Sequence, residues 1–288
     1  MRHRSHARKS PRTPSRVVLL TAVFLVAVAA GCSSSYKGPD TGPLPPPPPV
    51  HAAKWAQVWS DEFDGPTIDP ASWIVVDGAV NVNNELEYYT PSEAYIENGA
   101  LVLRSERQSL GGRSYTSAEV RTGTKHTVSQ GNAIEWRTQV PSGKGIWPAN
   151  WLVNTPCTGL TGCPSWPPEI DVLEMKGSAP TTNIMTHWWG TYPNQQHETS
   201  TWTAATSLAD GYHTYRLEWY RDSILWLVDG VQRAKHTANI TGGQLQLVMN
   251  TAVGGDIDGA PDATTVFPQY QRIDYVRVYR DTANTYSP

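Results

Sequence analysis

Apolar and polar residues alternate along most of this chain with a period of two. Ile134, Trp136, Thr138 and Val140 fall on one side, and Glu135, Arg137 and Gln139 on the other. That is the pattern of a half-buried β-strand. Tyr215, Leu217 and Trp219 alternate in the same way against Thr214, Arg216 and Glu218. After the turn Arg221-Asp222-Ser223 the pattern resumes in Ile224 to Val228, and Asp229-Gly230 marks a second hairpin. Asp and Gly tolerate the positive φ angles that a tight hairpin turn needs. Leu245 to Met249 and Ile273 to Tyr279 are further runs rich in β-formers. No long helical period follows the first thirty residues or so, and no fixed-period repeat argues for a propeller or solenoid. Short strands punctuated by Gly, Pro, Asn and Asp predict an all-β sandwich or jelly roll.

The first residues do not share this pattern. Met1 to Arg16 is basic and polar, and Val17 to Ala30 is an unbroken run of small and apolar residues. The run is short for a membrane span and has the length of an export signal's apolar region. Ala29-Ala30-Gly31-Cys32 follows and resembles a bacterial lipoprotein signal with Cys32 as the lipidated residue, although Ala29 stands where Leu is usual. Ordinary cleavage after Ala27-Val28-Ala29 is the alternative, giving a secreted protein. Residues 33–50, with prolines at every position from 45 to 49, predict an extended polyproline stalk. The expected organisation is therefore an export signal over 1–31, a Ser/Pro-rich linker over 32–53 and one domain over 54–288. The expected location is the cell envelope, at the outer membrane or cell surface, with membrane contact only through the lipid.

Composition narrows the class. Charged residues make up 17%, below the roughly 25% usual in soluble domains. Trp is present 12 times and Phe only 3 times, a bias towards rings that stack on sugars or bury with one hydrogen bond. Net charge is -3 and the basic residues of the main domain are dispersed, which argues against a nucleic-acid partner. There are 3 cysteines. With Cys32 lipidated, Cys157 and Cys163 remain as a pair that an oxidising compartment would join; two reduced thiols are the alternative. No His or Cys pattern has zinc-finger spacing.

The chemistry concentrates in Glu169-Ile170-Asp171-Val172-Leu173-Glu174. On a strand, Glu169 and Asp171 share a face while Ile170 and Val172 turn into the core. A regular continuation would bury Glu174, which is costly for a charged group. One extra residue, a β-bulge between Asp171 and Glu174, restores the phase and lines up three acids. Four strand steps are about 13 Å, so the long Glu side chains and sheet curvature must close the distance to the ~5–5.5 Å that retaining glycosidases use. Like charges this close raise one another's pKa, as a general acid requires. A solvated acidic face and a calcium site are the other readings of the spacing.

This segment matches the signature of glycoside hydrolase family 16 in its bulged form. Trp59-Ser60-Asp61-Glu62-Phe63-Asp64 resembles that family's opening strand. The blocks 83–90, 98–102, 115–118, 141–151, 213–219, 250–255 and 274–279 resemble its later motifs in order. The resemblance runs from about Trp55 to Tyr279. It implies a concanavalin-like β-jelly roll of two curved antiparallel sheets with a concave substrate cleft, and retaining hydrolysis with Glu169 as nucleophile, Asp171 as its helper and Glu174 as acid/base. The bulged signature and the Asn-Asn-Glu-Leu-Glu-Tyr-Tyr block most resemble laminarinases, endo-acting on β-1,3-glucan. Trp147 and Trp151 are then expected to line sugar subsites, with a core role as the alternative. His187 is expected to face the cleft beside Glu174, and Asn84 and Asn250 to contact hydroxyls. Some members hold a structural calcium, for which Glu62, the Gly99 carbonyl and Asp274 are the corresponding positions; the chemistry itself requires no cofactor. A monomer acting on β-glucan is expected. Val80-Asn81-Val82 replaces a Gly-Trp-Gly-rich loop, and Trp136 replaces a small residue; both bear on linkage preference. Mixed-linkage glucan or another family 16 polysaccharide is the alternative substrate. A non-catalytic glucan-binding protein is disfavoured by the presence of all three acids, and a surface adhesin leaves them without a use.

Overall fold

The computed structural model describes residues 54–79, 81–155 and 165–283. The export segment, the proline-rich linker, Cys32, Cys157 and Cys163 lie outside the described residues. Strands dominate: in chain order β1 (Trp55–Asp61), β2 (Ile74–Val75), β3 (Glu87–Tyr89), β4 (Ala94–Glu97), β5 (Ala100–Ser105), β6 (Tyr115–Ser117), β7 (Glu119–Arg121), β8 (Thr127–Val128), β9 (Asn132–Gln139), β10 (Ile146–Asn154), β11 (Glu169–Glu174), β12 (Thr182–Trp189), β13 (Gln196–Thr203), β14 (His213–Trp219), β15 (Ile224–Val228), β16 (Val231–His236), β17 (Leu245–Val253) and β18 (Gln269–Asp281). Every run singled out by alternation is a strand. Asp229 and Gly230 both have positive φ, 51° and 73°, as the tight β15–β16 turn requires.

Two antiparallel sheets build the molecule. One runs β16-β15-β14-β9-β18-β5-β4 with β1 also on β18; the other runs β13-β12-β11-β10-β17-β7-β2 with β8 also on β17. The core lies between them, with Ile134, Trp136, Leu217 and Trp226 from the first sheet meeting Leu152, Ile170, Met185 and Leu247 from the second. This is the expected all-β sandwich. Trp136 is fully buried in that core, so the departure at this position lies in packing between the sheets.

Polar bonds cross the same interface. Asn150 on β10 donates to Thr138 on β9 at 2.9 Å and accepts from Gln271 on β18 at 2.8 Å, and Thr251 on β17 donates to Gln271 at 2.7 Å. Asn150, Thr138, Gln271 and Thr251 are fully buried. A shift of one sheet over the other would leave all of them unpaired, at roughly 1–3 kcal/mol each, so the network fixes the alignment of the two sheets.

The bulge is present on β11. Trp151 pairs with Asp171 and Asn150 pairs with Leu173, so one step on β10 spans two on β11. Val172 and Leu173 both enter the core, and Glu174 returns to the face of Asp171, opposite Ala149. The bulge interrupts the ladder to β12, whose pairing with β11 covers Glu169 to Asp171. Side chains supply what the ladder loses. Asn183 accepts from the Glu174 amide at 3.1 Å and donates to the Val172 carbonyl at 3.0 Å. Trp226, reaching from the other sheet, donates its indole N–H to the Asp171 carbonyl at 2.8 Å. Asn183→Ala strands two buried backbone groups and is expected to cost roughly 2–4 kcal/mol. Denaturant unfolding of the variant checks this, and an unchanged midpoint would show that the bulge stands without Asn183.

Candidate active site

Opposed residues in antiparallel strands share a face. Glu169 lies opposite Val153 and Trp188, Asp171 opposite Trp151 and Thr186, and Glu174 opposite Ala149. All three acids therefore stand on the face of their sheet turned away from the core. Val153 and Val248 pave that face, with Trp151 and Trp166 packed against them.

Each acid receives one indole N–H. Trp166 donates to Glu169 at 2.9 Å, Trp188 to Asp171 at 3.3 Å and Trp147 to Glu174 at 3.1 Å. These bonds favour the ionised carboxylate, but burial opposes them and wins. Glu169 is pushed up to about 8 by burial, with a further push from the charge of Glu174, against the Trp166 bond. Glu174 is pushed up to about 7 by burial, against the Trp147 bond. Asp171 is held well above its ordinary value by burial, then by the charges of Glu169 and Glu174, against the Trp188 bond. The three titrate as one set. Near neutral pH such a set holds both a carboxylate and a carboxylic acid, which is the pair that acid-assisted nucleophilic displacement needs.

Trp147 and Trp151, both half-buried, stand beside the acids, Trp147 bonded to Glu174 and Trp151 opposite Asp171. Trp151 donates to Asn250 at 2.9 Å, and Asn250 donates to the hydroxyl of Tyr89 at 3.0 Å. Both ends of the Asn250 amide are thus engaged, and its place is to hold the Trp151 ring. Asn84 is exposed at positive φ and donates to Asp256 at 2.6 Å. It lines an open recess of about 280 Å³ with Asn81, Val82, Asn83, Glu85 and Arg113. Gly255 joins this loop to the site: its φ is +82°, and a Cβ there would sit 2.7 Å from the Trp147 ring and 3.3 Å from the Asn83 carbonyl.

Two expectations do not hold. His187 is paired with Ile170, a core residue, so it points between the sheets, fully buried, and not into the cleft beside Glu174. The strand period that exposes Trp188 is what turns His187 inward. The calcium positions do not fit an ion as they stand. Glu62 gives both carboxylate oxygens to Arg277, at 3.0 and 2.8 Å, and Asp274 pairs with Arg137 at 2.7 Å. Gly99 is a turn residue at φ +73°. With each carboxylate matched by a guanidinium, the set lacks the surplus of negative oxygen that calcium needs.

Trp166 and Trp188 went unread in the sequence. Trp166 stands three residues before Glu169, a visible signal in a Trp-rich chain. Trp188 becomes legible only once Glu169 is known to pair with it.

The site and fold have relatives. The model of the family described as glycosyl hydrolases family 16 matches residues 82–275, and the chain belongs to that family. It is 33% identical over 302 residues to a beta-glucanase of Rhodothermus marinus, covering 94% of this chain and 98% of that protein. It is 33% identical over 282 residues to the clotting factor G alpha subunit of Tachypleus tridentatus, covering 94% of this chain but 38% of that protein. Among solved structures, the catalytic domain of an endo-1,3-beta-glucanase (laminarinase) from Thermotoga petrophila superposes with a TM-score of 0.71 at 32% identity, covering 80% of this chain and 99% of that one.

The raised carboxyls make stability depend on pH. The unfolded chain releases its Glu protons near pH 4.5, while the folded site keeps them to about 7–8. The native state thus binds more protons, and stability falls as pH rises through that window. Glu169→Gln removes the titration while keeping the shape. It is expected to stabilise the protein by roughly 2 kcal/mol at pH 8 and by far less at pH 4. Denaturant melts at the two pH values measure the difference, and an equal effect at both would contradict it.

Proposed function

We propose that this chain hydrolyses β-1,3-glucosidic bonds within glucan chains, with retention of anomeric configuration. The observation that carries the proposal is the row of Glu169, Asp171 and Glu174 on one open face, each held by its own indole N–H. In this reading the Glu169 carboxylate attacks the anomeric carbon while Glu174 protonates the departing glycosidic oxygen. Glu174, now ionised, takes a proton from water, whose oxygen displaces Glu169 from the glycosyl-enzyme. Burial by itself would ionise Glu174, at about 7, before Glu169, at about 8; in this reading Asp171, kept protonated beside Glu169, reverses the order by donating a hydrogen bond to the Glu169 carboxylate. Trp147 and Trp151 offer faces for sugar stacking. The named activities of the beta-glucanase and laminarinase relatives support β-glucan as the substrate. Val80-Asn81-Val82 stands where laminarinases often carry a Gly-Trp-Gly-rich loop, and mixed-linkage glucan is the second reading of the substrate.

Incubation with laminarin, curdlan, lichenan and agarose, with product sizing, tests the proposal. Short oligosaccharides are expected from laminarin, with the β-anomer formed first by NMR. Glu169→Gln should lower kcat at least a thousandfold with laminarin binding kept. Release from agarose alone would overturn the substrate class, and first formation of the α-anomer would overturn the mechanism.

The proposal extends to location: an exported protein anchored through lipid on Cys32, supported by the apolar run at 17–30 and the residues before Cys32. Several acyl chains would anchor it firmly where one would not. Cys32→Ser is expected to move the protein from the membrane fraction to the soluble one, and an unmoved protein would refute the anchor.

A further inference from the structure

The two sheets approach one another at an edge of the sandwich where three potential metal ligands converge. β13 ends one sheet and β16 ends the other. His187 on β12 and Glu198 on β13 are directly opposed, so both point to the same side, between the sheets. His236 on β16 faces them from the other sheet. Its Nδ1 lies 2.8 Å from Nδ1 of His187, and its Nε2 lies 3.9 Å from Glu198 Oε1. His187 and His236 are 0% and 1% exposed. One ligand atom from each of the three residues lies within 4.8 Å of the other two.

We propose that His187, His236 and Glu198 hold a divalent transition-metal ion of the Zn²⁺ class, as a structural clip between the edges of the two sheets. The donor set decides the class: two imidazoles and one carboxylate suit Zn²⁺ and its neighbours, whereas Ca²⁺ and Mg²⁺ take oxygen. Ligands about 2.0–2.2 Å from a tetrahedral ion lie roughly 3.3–3.6 Å apart. The two Nδ1 atoms are therefore within about half an ångström of a ligating spacing. Glu198, whose side chain is 42% exposed, must close by about an ångström. The Nδ1···Nδ1 hydrogen bond of the pair gives way to the ion, each ring then turning a lone pair to it. Ser200 Oγ, 3.0 Å from His236 Nε2, orients that ring from the nitrogen that the ion does not use.

Loading would be felt at the acids. His187 is opposite Ile170, between Glu169 and Asp171. The His236 ring lies 4.5 Å from that of Trp226, whose N–H bonds the Asp171 carbonyl. The ion has no path to substrate, because its ligands face the core side of the sheet; it stiffens the strands behind the site.

The full chain, stripped with a chelator, is titrated with Zn²⁺ by calorimetry and with Co²⁺ by visible absorption, and melted with and without Zn²⁺. The proposal expects one tight site per chain, tetrahedral Co²⁺ bands and a Tm increase of about 5 °C or more. Glu198→Gln, on the exposed edge strand, should fold normally and bind at least tenfold more weakly; His236→Ala should lose the site, and Glu169→Gln should keep it. A wild type with no Tm response to Zn²⁺ overturns the proposal, leaving a hydrogen-bonded histidine pair. So does Zn²⁺ affinity unchanged in Glu198→Gln, which would place the ion on other residues.

Discussion

The extra residue in β11 is the constraint on which the rest depends. A strand alternates strictly, so Glu169 and Glu174 cannot share a face without one residue of slippage. The slippage ends the pairing with β12 at Asp171, and beyond it the backbone turns to side chains for partners. A buried backbone group cannot stay unpaired, so the fold must answer each one. Asn183 answers the Glu174 amide and the Val172 carbonyl, and Trp226, from the opposite sheet, answers the Asp171 carbonyl. The position of the acids is thereby tied to the alignment of the two sheets, which the buried Asn150, Thr138, Gln271 and Thr251 network fixes.

The chemistry of the site is a balance between burial and hydrogen bonding. Burial alone would leave three neutral acids, inert as nucleophiles. Three indole N–H groups pull the other way, one on each carboxyl. Indole suits this place because it donates without carrying a charge. A lysine or arginine would hold the acids ionised and remove the proton that a leaving group needs. This accounts for tryptophan in a part of the molecule where an acid triad has no cation in hydrogen-bond contact among the described residues.

Beyond the acids, the open face is built by second-rank bonds that reach far in sequence. Trp151 is held through Asn250 and Tyr89, from β17 and β3. Trp147 lies against Gly255, whose lack of a side chain leaves room for the ring. These rings are thus set by residues far from them in sequence; Asn250 is 99 residues from Trp151.

The sequence by itself determined the strands, the sandwich and the need for a bulge that lines up the three acids, while their catalytic roles came from the family resemblance. The first three follow from local rules: a period of two, turn residues at positive φ, and the cost of burying a carboxylate. It did not determine which way His187 points, because facing depends on the register of β12 against β11, and a slip of one residue exchanges Trp188 for His187. Nor did it show that Arg277 and Arg137 claim Glu62 and Asp274, since these partners meet only across strands; Glu62 and Arg277 are 215 residues apart. Trp166 and Trp188, Asn183 and Trp226 were silent for the same reason. Local period fixes which residues can share a face, while tertiary register alone decides which partners they find there.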